Sequence, residues 1–330
     1  MRVDLNKWYR CKIDKKILKE LSKKSDWEGI KHIVIYFTSL FVCGYMAYYT
    51  WGSWWTVLWF FLYGSIYCCA DPIWHETGHK TAFKSKLLNE IFYQIGSFMV
   101  YKEPTRWRWS HFKHHGHTLS TSDPYDYEIQ VLKPTDLLFM LCFVTPFGLL
   151  FFLHKLSQLE TLKHALGITT LVMKDCIPDK ERSKSRWISR IHVAIWLGSI
   201  FLSLYLTSWM PVLFILLPYF YGNTLFMLFG IPQHAGLLTN SKDHRLSTRD
   251  VYLNPIFSFL YWHMEYHIEH HMFPLIPSHN LKKLHEIVKD QLPPAKKNLW
   301  DAYKEIIPAL IKQAKDPNYK IDVQLPNTGT

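Results

Sequence analysis

Some common signatures are missing from the 330 residues. There are six cysteines, at positions 11, 43, 68, 69, 142 and 176, none in C-x-x-C spacing and several inside apolar runs. That excludes a disulfide framework and an iron–sulfur ligand set, and fits a reducing, cytoplasm-facing protein. No internal repeat, low-complexity tract or glycine-rich nucleotide loop is present. Met1–Lys31 has ten Lys and Arg but no short apolar core with a small-residue cleavage site, so it reads as a basic cytoplasmic arm and not as a removable signal peptide. The most telling absence is of positive charge: no Lys or Arg occurs from His32 to His79, or from Ile191 to Ser241. All 38 lie in the three remaining stretches, against 27 Asp and Glu. The mean hydropathy of −0.07 therefore averages two different materials. Neither a disordered chain nor an ordinary soluble globule segregates charge in this way.

The charge-free stretches read as membrane hairpins. Residues 33–50 and 54–70 are apolar, interrupted at Gly52 and Ser53. At 1.5 Å per residue each arm spans roughly 25–27 Å, close to the hydrocarbon thickness of a bilayer. Trp51, Trp54 and Trp55 at the tip suit an interfacial aromatic belt. A second pair is expected over 191–208 and 211–230. Two uncharged tips and three basic segments place both termini in the cytoplasm by the positive-inside rule. Residues 136–154 are also long and apolar, but a crossing there would put the later histidines on the opposite face from the earlier ones. They are expected to be interfacial or re-entrant, and Glu160–Cys176 a second amphipathic surface segment. The expected fold class is all-α: four transmembrane helices in two hairpins, with a cytosolic helical domain between and after them. The organisation is an arm over 1–31, a membrane domain over 32–281 and a cytoplasmic segment over 282–330. A buried hairpin in a large soluble protein is the plainer alternative for the first pair. The positive charge follows topology and forms no aromatic-interleaved groove, so anionic lipid is its expected partner and nucleic acid is not. Nothing in the sequence indicates the oligomeric state.

Histidine is present in excess, at 18 residues. Three clusters follow an acidic or Asn residue joined to Pro, a pair that can cap and open a helix. Asp71-Pro72 precedes His75 and His79, Glu103-Pro104 precedes His111, His114 and His115, and Asn254-Pro255 precedes His263, His267, His270 and His271. At about 100° per residue the clustered histidines of each expected helix fall on one face. A lone histidine is most often a satisfied packing residue. Eight in H-x-x-x-H, H-x-x-H-H and H-x-x-H-H patterns on one membrane face point to metal. Imidazole suits zinc, copper, iron or nickel. One zinc uses about three or four ligands, whereas two six-coordinate irons offer about twelve positions and leave a few for water or O2. A dinuclear, oxygen-activating iron site matches the count best.

His75-Glu76-Thr77-Gly78-His79, His111-Phe112-Lys113-His114-His115 and His267-Ile268-Glu269-His270-His271 resemble the three histidine boxes of the membrane fatty acid desaturase and hydrocarbon hydroxylase superfamily, and the likeness extends from about Ile33 to Leu281. The resemblance implies two non-haem iron ions held on the cytosolic side, O2 as co-substrate, and oxidation of an unactivated C–H bond in a long-chain lipid. Fatty acyl desaturation is the first expectation, and hydroxylation of an acyl chain or alkane the alternative. It also implies His234, after the last expected span, as a ninth ligand beside His75, His79, His111, His114, His115, His267, His270 and His271. The sequence departs from many acyl desaturases in having Glu76 in box 1 and no fused cytochrome b5 signature. Electrons are then expected from an external ferredoxin, rubredoxin or cytochrome b5 type carrier, with Arg106, Arg108, Lys113 and residues 180–190 as a candidate landing site. Glu76, His117 and His263 are candidates for hydrogen-bonding a ligand. His244 is a weaker candidate, and His32, His154, His164, His192, His279 and His285 read as surface or packing residues. Two readings from other classes remain open. His75-Glu76-Thr77-Gly78-His79 also satisfies the H-E-x-x-H motif of zinc metallopeptidases, and a histidine-rich metal carrier would need no turnover.

Overall fold

The computed structural model describes residues 8–129, 131–141 and 157–326. Among them the architecture is helical, with a single isolated bridge between Val251 and Lys296 in place of any sheet. After a short helix α1 (Lys15–Leu21), capped by the Asp14 carboxylate, α2 (Asp26–Tyr49) begins at Ser25, whose hydroxyl accepts from the Glu28 N–H. The chain reverses at Gly52, whose φ of +88° suits a residue without a Cβ. It returns as α3 (Trp54–Cys68), which runs almost without interruption into α4 (Asp71–Gly78). Trp51, Trp54 and Trp55 are exposed at the tip, as expected.

Next come α5 (Lys86–Met99), α6 (Pro104–Gly116), α7 (Ser157–Ala165), α8 (Leu171–Cys176) and the long α9 (Asp179–Tyr205). The pair α7 and α8 exposes Leu159, Leu166, Ile168 and Leu171, matching the amphipathic surface segment expected there. The reading of 136–154 falls mostly outside the described residues; Pro134–Leu141 forms a short 3₁₀ run.

Among the described residues three helices are long and apolar enough to cross a membrane: Asp26–Tyr49, Trp54–Gly78 and Asp179–Tyr205. Their apolar windows are 28%, 67% and 22% buried, so the second is central and the other two turn most of their surface outward. The expected fourth span, 211–230, is not one continuous helix. It consists of a π turn at Val212–Leu216, then α10 (Pro218–Gly222) and α11 (Thr224–Gly230). Pro218 lacks the N–H that would continue the ladder. Hydroxyls from α3 and from the segment itself serve carbonyls of the broken turn: Tyr63 donates to Phe214 O at 3.1 Å and Tyr221 to Leu213 O at 2.9 Å. Irregular backbone of this kind persists in an apolar setting only when protein groups satisfy it.

The segment lies directly on α3. A Cβ on Gly222 would fall 2.0 Å from the Gly64 carbonyl carbon, so the two backbones touch where neither residue has a side chain. Beyond Gly230 come α12 (Pro255–Leu260), α13 (His267–Met272), α14 (Leu281–Val288) and α15 (Leu299–Lys315). These pack around α13 through Tyr261, Met264, Ile268, Leu281 and Leu284. The cytoplasmic C-terminal segment expected after residue 281 thus forms helices against the histidine-bearing part of the chain.

Candidate metal centre

Box 1 lies on α4, which places His75 and His79 one turn apart. Asp71 is not the N-cap that the sequence suggests. Ala70 already has helical φ and ψ because α3 leads straight in, and the Asp71 carboxylate pairs with Lys102 Nζ at 2.7 Å. Box 2 follows its expectation: the Glu103 carboxylate accepts from the Thr105 and Arg106 N–H groups at 2.9 and 2.8 Å, with Pro104 in the first turn of α6. Box 3 differs. The helix opened by Asn254-Pro255 ends at Leu260, left-handed backbone at Trp262 and His263 turns the chain, and a new helix starts at His267. His263 is therefore separated from the stripe of His267, His270 and His271. Its Nδ1 bonds the Ser258 hydroxyl at 2.8 Å.

The folded chain brings all nine expected histidines together in two adjoining groups. His75, His79, His111, His115 and His270 have ligand atoms within 4.8 Å of one another, as do His114, His234 and His271. His267 completes the second group: its Nε2 lies 2.9 Å from that of His234 and 3.1 Å from that of His271. In the first group Nε2 atoms face each other at 2.7 Å (His75 and His270), 2.8 Å (His79 and His111), 3.1 Å (His111 and His115) and 3.2 Å (His115 and His270). The groups share a wall, where the rings of His115 and His271 stack at 4.4 Å.

Three of the opposite ring nitrogens are held from outside. His111 Nδ1 donates to both Glu128 oxygens at 2.9 Å, His114 Nδ1 to Asp126 at 2.8 Å, and His234 Nδ1 to Ser247 O at 2.9 Å. A hydrogen placed on Nδ1 leaves the lone pair on Nε2, aimed inward. Burial keeps His111, His115, His267, His270 and His271 well below the ordinary imidazole pKa, and takes His79 and His234 down to about 3, so these rings are neutral. On His114 burial opposes charge, but the Asp126 carboxylate outweighs it and the pKa rises. Converging neutral lone pairs lack a shared hydrogen for every contact. A cation at each focus would satisfy them, and this donor set fits the imidazole-favouring transition metals.

Other expected site residues lie elsewhere. His117 is exposed, with its ring Nδ1 against Lys113 O, and it meets the groups only through its backbone N–H, which donates to His114 O at 3.1 Å. Glu76 is fully buried, and its carboxylate accepts the Ser278 N–H at 3.0 Å outside the histidine groups. It orients the chain near Ser278 and no ligating imidazole. Nor is it in the position of a base beside His75 and His79, so the H-E-x-x-H peptidase reading loses its general base. Arg106, a proposed docking residue, is buried and ion-paired with Glu160 at 2.9 Å. Arg108 is partly exposed but pairs with Glu90.

Sequence reasoning missed Asp126 and Glu128, which arrive on an irregular loop with no fixed spacing from box 2. It also missed a third buried group, Asp250, Glu269 and His285. Glu269 lies on the back of α13, bonded to His285 Nδ1, while Tyr252 shares a hydrogen bond with His285 Nε2 at 2.8 Å. The Asp250 carboxylate accepts the Ile268 N–H at 2.9 Å and so anchors the start of the box 3 helix. His285 is thus a packing residue, with a specific task.

A cavity of about 560 Å³ reaches both histidine groups through His75, His114, His234 and His267. It continues along α11 past Ile231, Met227 and Phe226 to Asn223 and Tyr219.

Long outward-facing apolar helices mark an integral membrane protein, and its two histidine groups are placed so that they could hold metal. The fatty acid desaturase family model matches residues 29–303, and the chain belongs to that family. No curated protein matches it.

Proposed function

We propose that this is a multi-pass membrane diiron oxidoreductase that uses O2 to oxidise a long-chain lipid, with fatty acyl desaturation as the reaction. The observation that carries the reading is the division of nine histidines, all but His115 buried, into adjoining sets of five and four that meet one cavity. The five of the first set and the four of the second each hold one iron. When bound, the pair supplies the oxidising power to break an unactivated C–H bond. The segmented 211–230 stretch serves as the fourth crossing, and both termini and the metal centre face the cytoplasm.

The chain's own residues have three tasks. The carboxylates of Asp126 and Glu128 and the Ser247 carbonyl fix the tautomers of His114, His111 and His234, so the Nε2 lone pairs of these three rings stay directed inward. The apolar wall of Phe226, Met227 and Ile231 positions the chain carbon beside His75 and His234 and excludes water. Two electrons come from a separate carrier of the ferredoxin, rubredoxin or cytochrome b5 type. Lys113 and the exposed Lys180 and Lys184 of α9, and not Arg106, are the positive groups proposed to meet an acidic partner.

The test is incubation of the iron-loaded protein in nanodiscs with a reduced carrier, O2 and C16 or C18 acyl substrates, followed by gas chromatography and mass spectrometry. A chain two hydrogens lighter supports desaturation, and a chain one oxygen heavier shows hydroxylation at the same site. Peptide cleavage, or metal binding with no oxidised lipid from any chain tested, would contradict the reading.

A further inference from the structure

The turn between α7 and α8 is apolar on its outside and fixed on its inside. Gly167, at φ +88°, ends α7: its N–H bonds His164 O at 2.9 Å, and the Ile168 N–H reaches back to Lys163 O at 2.9 Å. This is the double closure that a left-handed glycine makes at a helix end. The Thr170 hydroxyl then meets His164 Nε2 at 2.8 Å and donates to Glu160 at 3.2 Å. With the backbone held in this way, Leu166 is 79% exposed and Leu171 72%, with Ile168 exposed between them. Large aliphatic side chains gathered outward on one patch mark a contact surface.

The turn is tied to α9 at the level where that helix enters its apolar stretch. Arg186 donates to the Thr169 hydroxyl at 2.8 Å and Arg190 to Ala165 O at 3.0 Å, and the Arg190 guanidinium lies 4.7 Å over the exposed Trp187 ring. Arg190 is the last cation before Lys242, so the pair stands at the edge of the charge-free run. Other arginines nearby are neutralised: Arg106 by Glu160, Arg108 by Glu90 and Arg182 by Asp179. Arg186, Arg190 and the exposed Lys163 of α7 form no ion pair among the described residues. The bonds that the two guanidiniums make go to neutral oxygens and use one of five N–H donors each.

We infer that this corner of α7, α8 and α9 is a binding site for an anionic phospholipid of the surrounding bilayer. Lys163, Arg186 and Arg190 hold the phosphate of the headgroup, whose paired oxygens match the forked donors of a guanidinium. Leu166, Ile168 and Leu171 rest at the acyl boundary beside it, with Trp187 at the interface. A soluble anion would leave the apolar turn in water, and an acidic protein would leave it unmatched; a charged lipid meets both surfaces at once. The site is separate from the metal centre and does not rest on the reaction proposed above.

The experiment is to reconstitute the purified full chain into vesicles of phosphatidylcholine with phosphatidylglycerol as the minor component, re-extract it in mild detergent and measure the retained lipids by mass spectrometry. Phosphatidylglycerol is expected to be enriched on the protein about fivefold over its share of the vesicle, the scale of one cation at an anionic surface. Arg186→Gln with Arg190→Gln should bring the ratio back to that of the vesicle. Lys304→Gln with Lys315→Gln, the same change of charge on α15, should leave the enrichment in place. No enrichment on the native protein overturns the proposal without recourse to any variant. Enrichment that survives the arginine changes, or that both double variants lose equally, overturns it as well, because the attraction is then diffuse. Excess inorganic phosphate during extraction should leave the retained lipid unchanged, and displacement by it would show an ion site in place of a lipid site.

Discussion

The Nδ1 of His111 lies 2.9 Å from both oxygens of the Glu128 carboxylate, seventeen residues further along the chain. Asp126 holds His114 in the same way at 2.8 Å. One short loop therefore orients a ligand of each histidine group. Carboxylates that orient metal-binding imidazoles are typically worth about 10–100-fold in metal affinity. Glu128→Gln should weaken the five-histidine group and Asp126→Asn the other, each by about that factor, with the fold retained. Competition with a chelator, followed by metal analysis, measures this; unchanged affinity in both would remove the loop from the account.

Arg106 should behave as a structural residue. Its guanidinium is bonded to Glu160, to the Ser110 hydroxyl at 3.0 Å and to Tyr127 O at 3.3 Å. Removing one partner of such a buried pair costs about 3–5 kcal/mol. Arg106→Ala is expected to lower the thermal midpoint clearly, while the KM for the electron carrier in the surviving folded fraction stays the same. A raised KM with unchanged stability would restore Arg106 to the docking surface.

The backbone contact between Gly64 and Gly222 leaves no room for a methyl group. Gly222→Ala places a Cβ 2.0 Å from backbone carbon, which no side-chain rotation relieves. The variant should fail to yield a monodisperse detergent-solubilised protein. Gly198→Ala on α9, with nothing within 4 Å of the added atom, is the matched control and should express normally. Equal behaviour of the two by size-exclusion chromatography would contradict the packing described.

The metal-free protein should weaken in acid. Burial lowers the pKa of His79 and His234 to about 3 and depresses those of His111, His115, His267, His270 and His271. In the unfolded chain these groups return to about 6.5. Below that pH the unfolded state binds more protons, so stability falls as pH drops from about 7 toward 5. His114, whose pKa is raised, opposes the trend, as do Glu128 and Glu269, raised by burial to about 7, and Asp250, but the depressed imidazoles outnumber them. Chemical denaturation of the apo protein at pH 7.5 and 5.5 checks the sign.

Much of this was legible in the sequence because it depends on local periodicity. Charge-free runs gave α2, α3 and α9, and the acidic-Pro and Asn-Pro steps gave the starts of α6 and α12. Eight of the histidines could be grouped because spacings of three and four residues place side chains on one helix face, whereas His234 came only from the family resemblance. What remained hidden depends on long-range contacts. Asp126, Glu128 and Ser247 reach the site from loops, and no periodicity announces a loop carboxylate. The break between α12 and α13 was hidden as well, because left-handed backbone at Trp262 and His263 is imposed by tertiary packing and neither residue is a Gly or Pro that would signal it. Pro218 begins the second piece of the 211–230 segment, which a reading by hydropathy takes as one continuous span.

The most direct test of the account is metal content per chain of the detergent-purified protein, measured by mass spectrometry beside a variant carrying both His114→Ala and His270→Ala, one change in each group. About two irons in the native protein, lost in the variant, is the predicted result for two six-coordinate sites. A single zinc that survives both changes would contradict it.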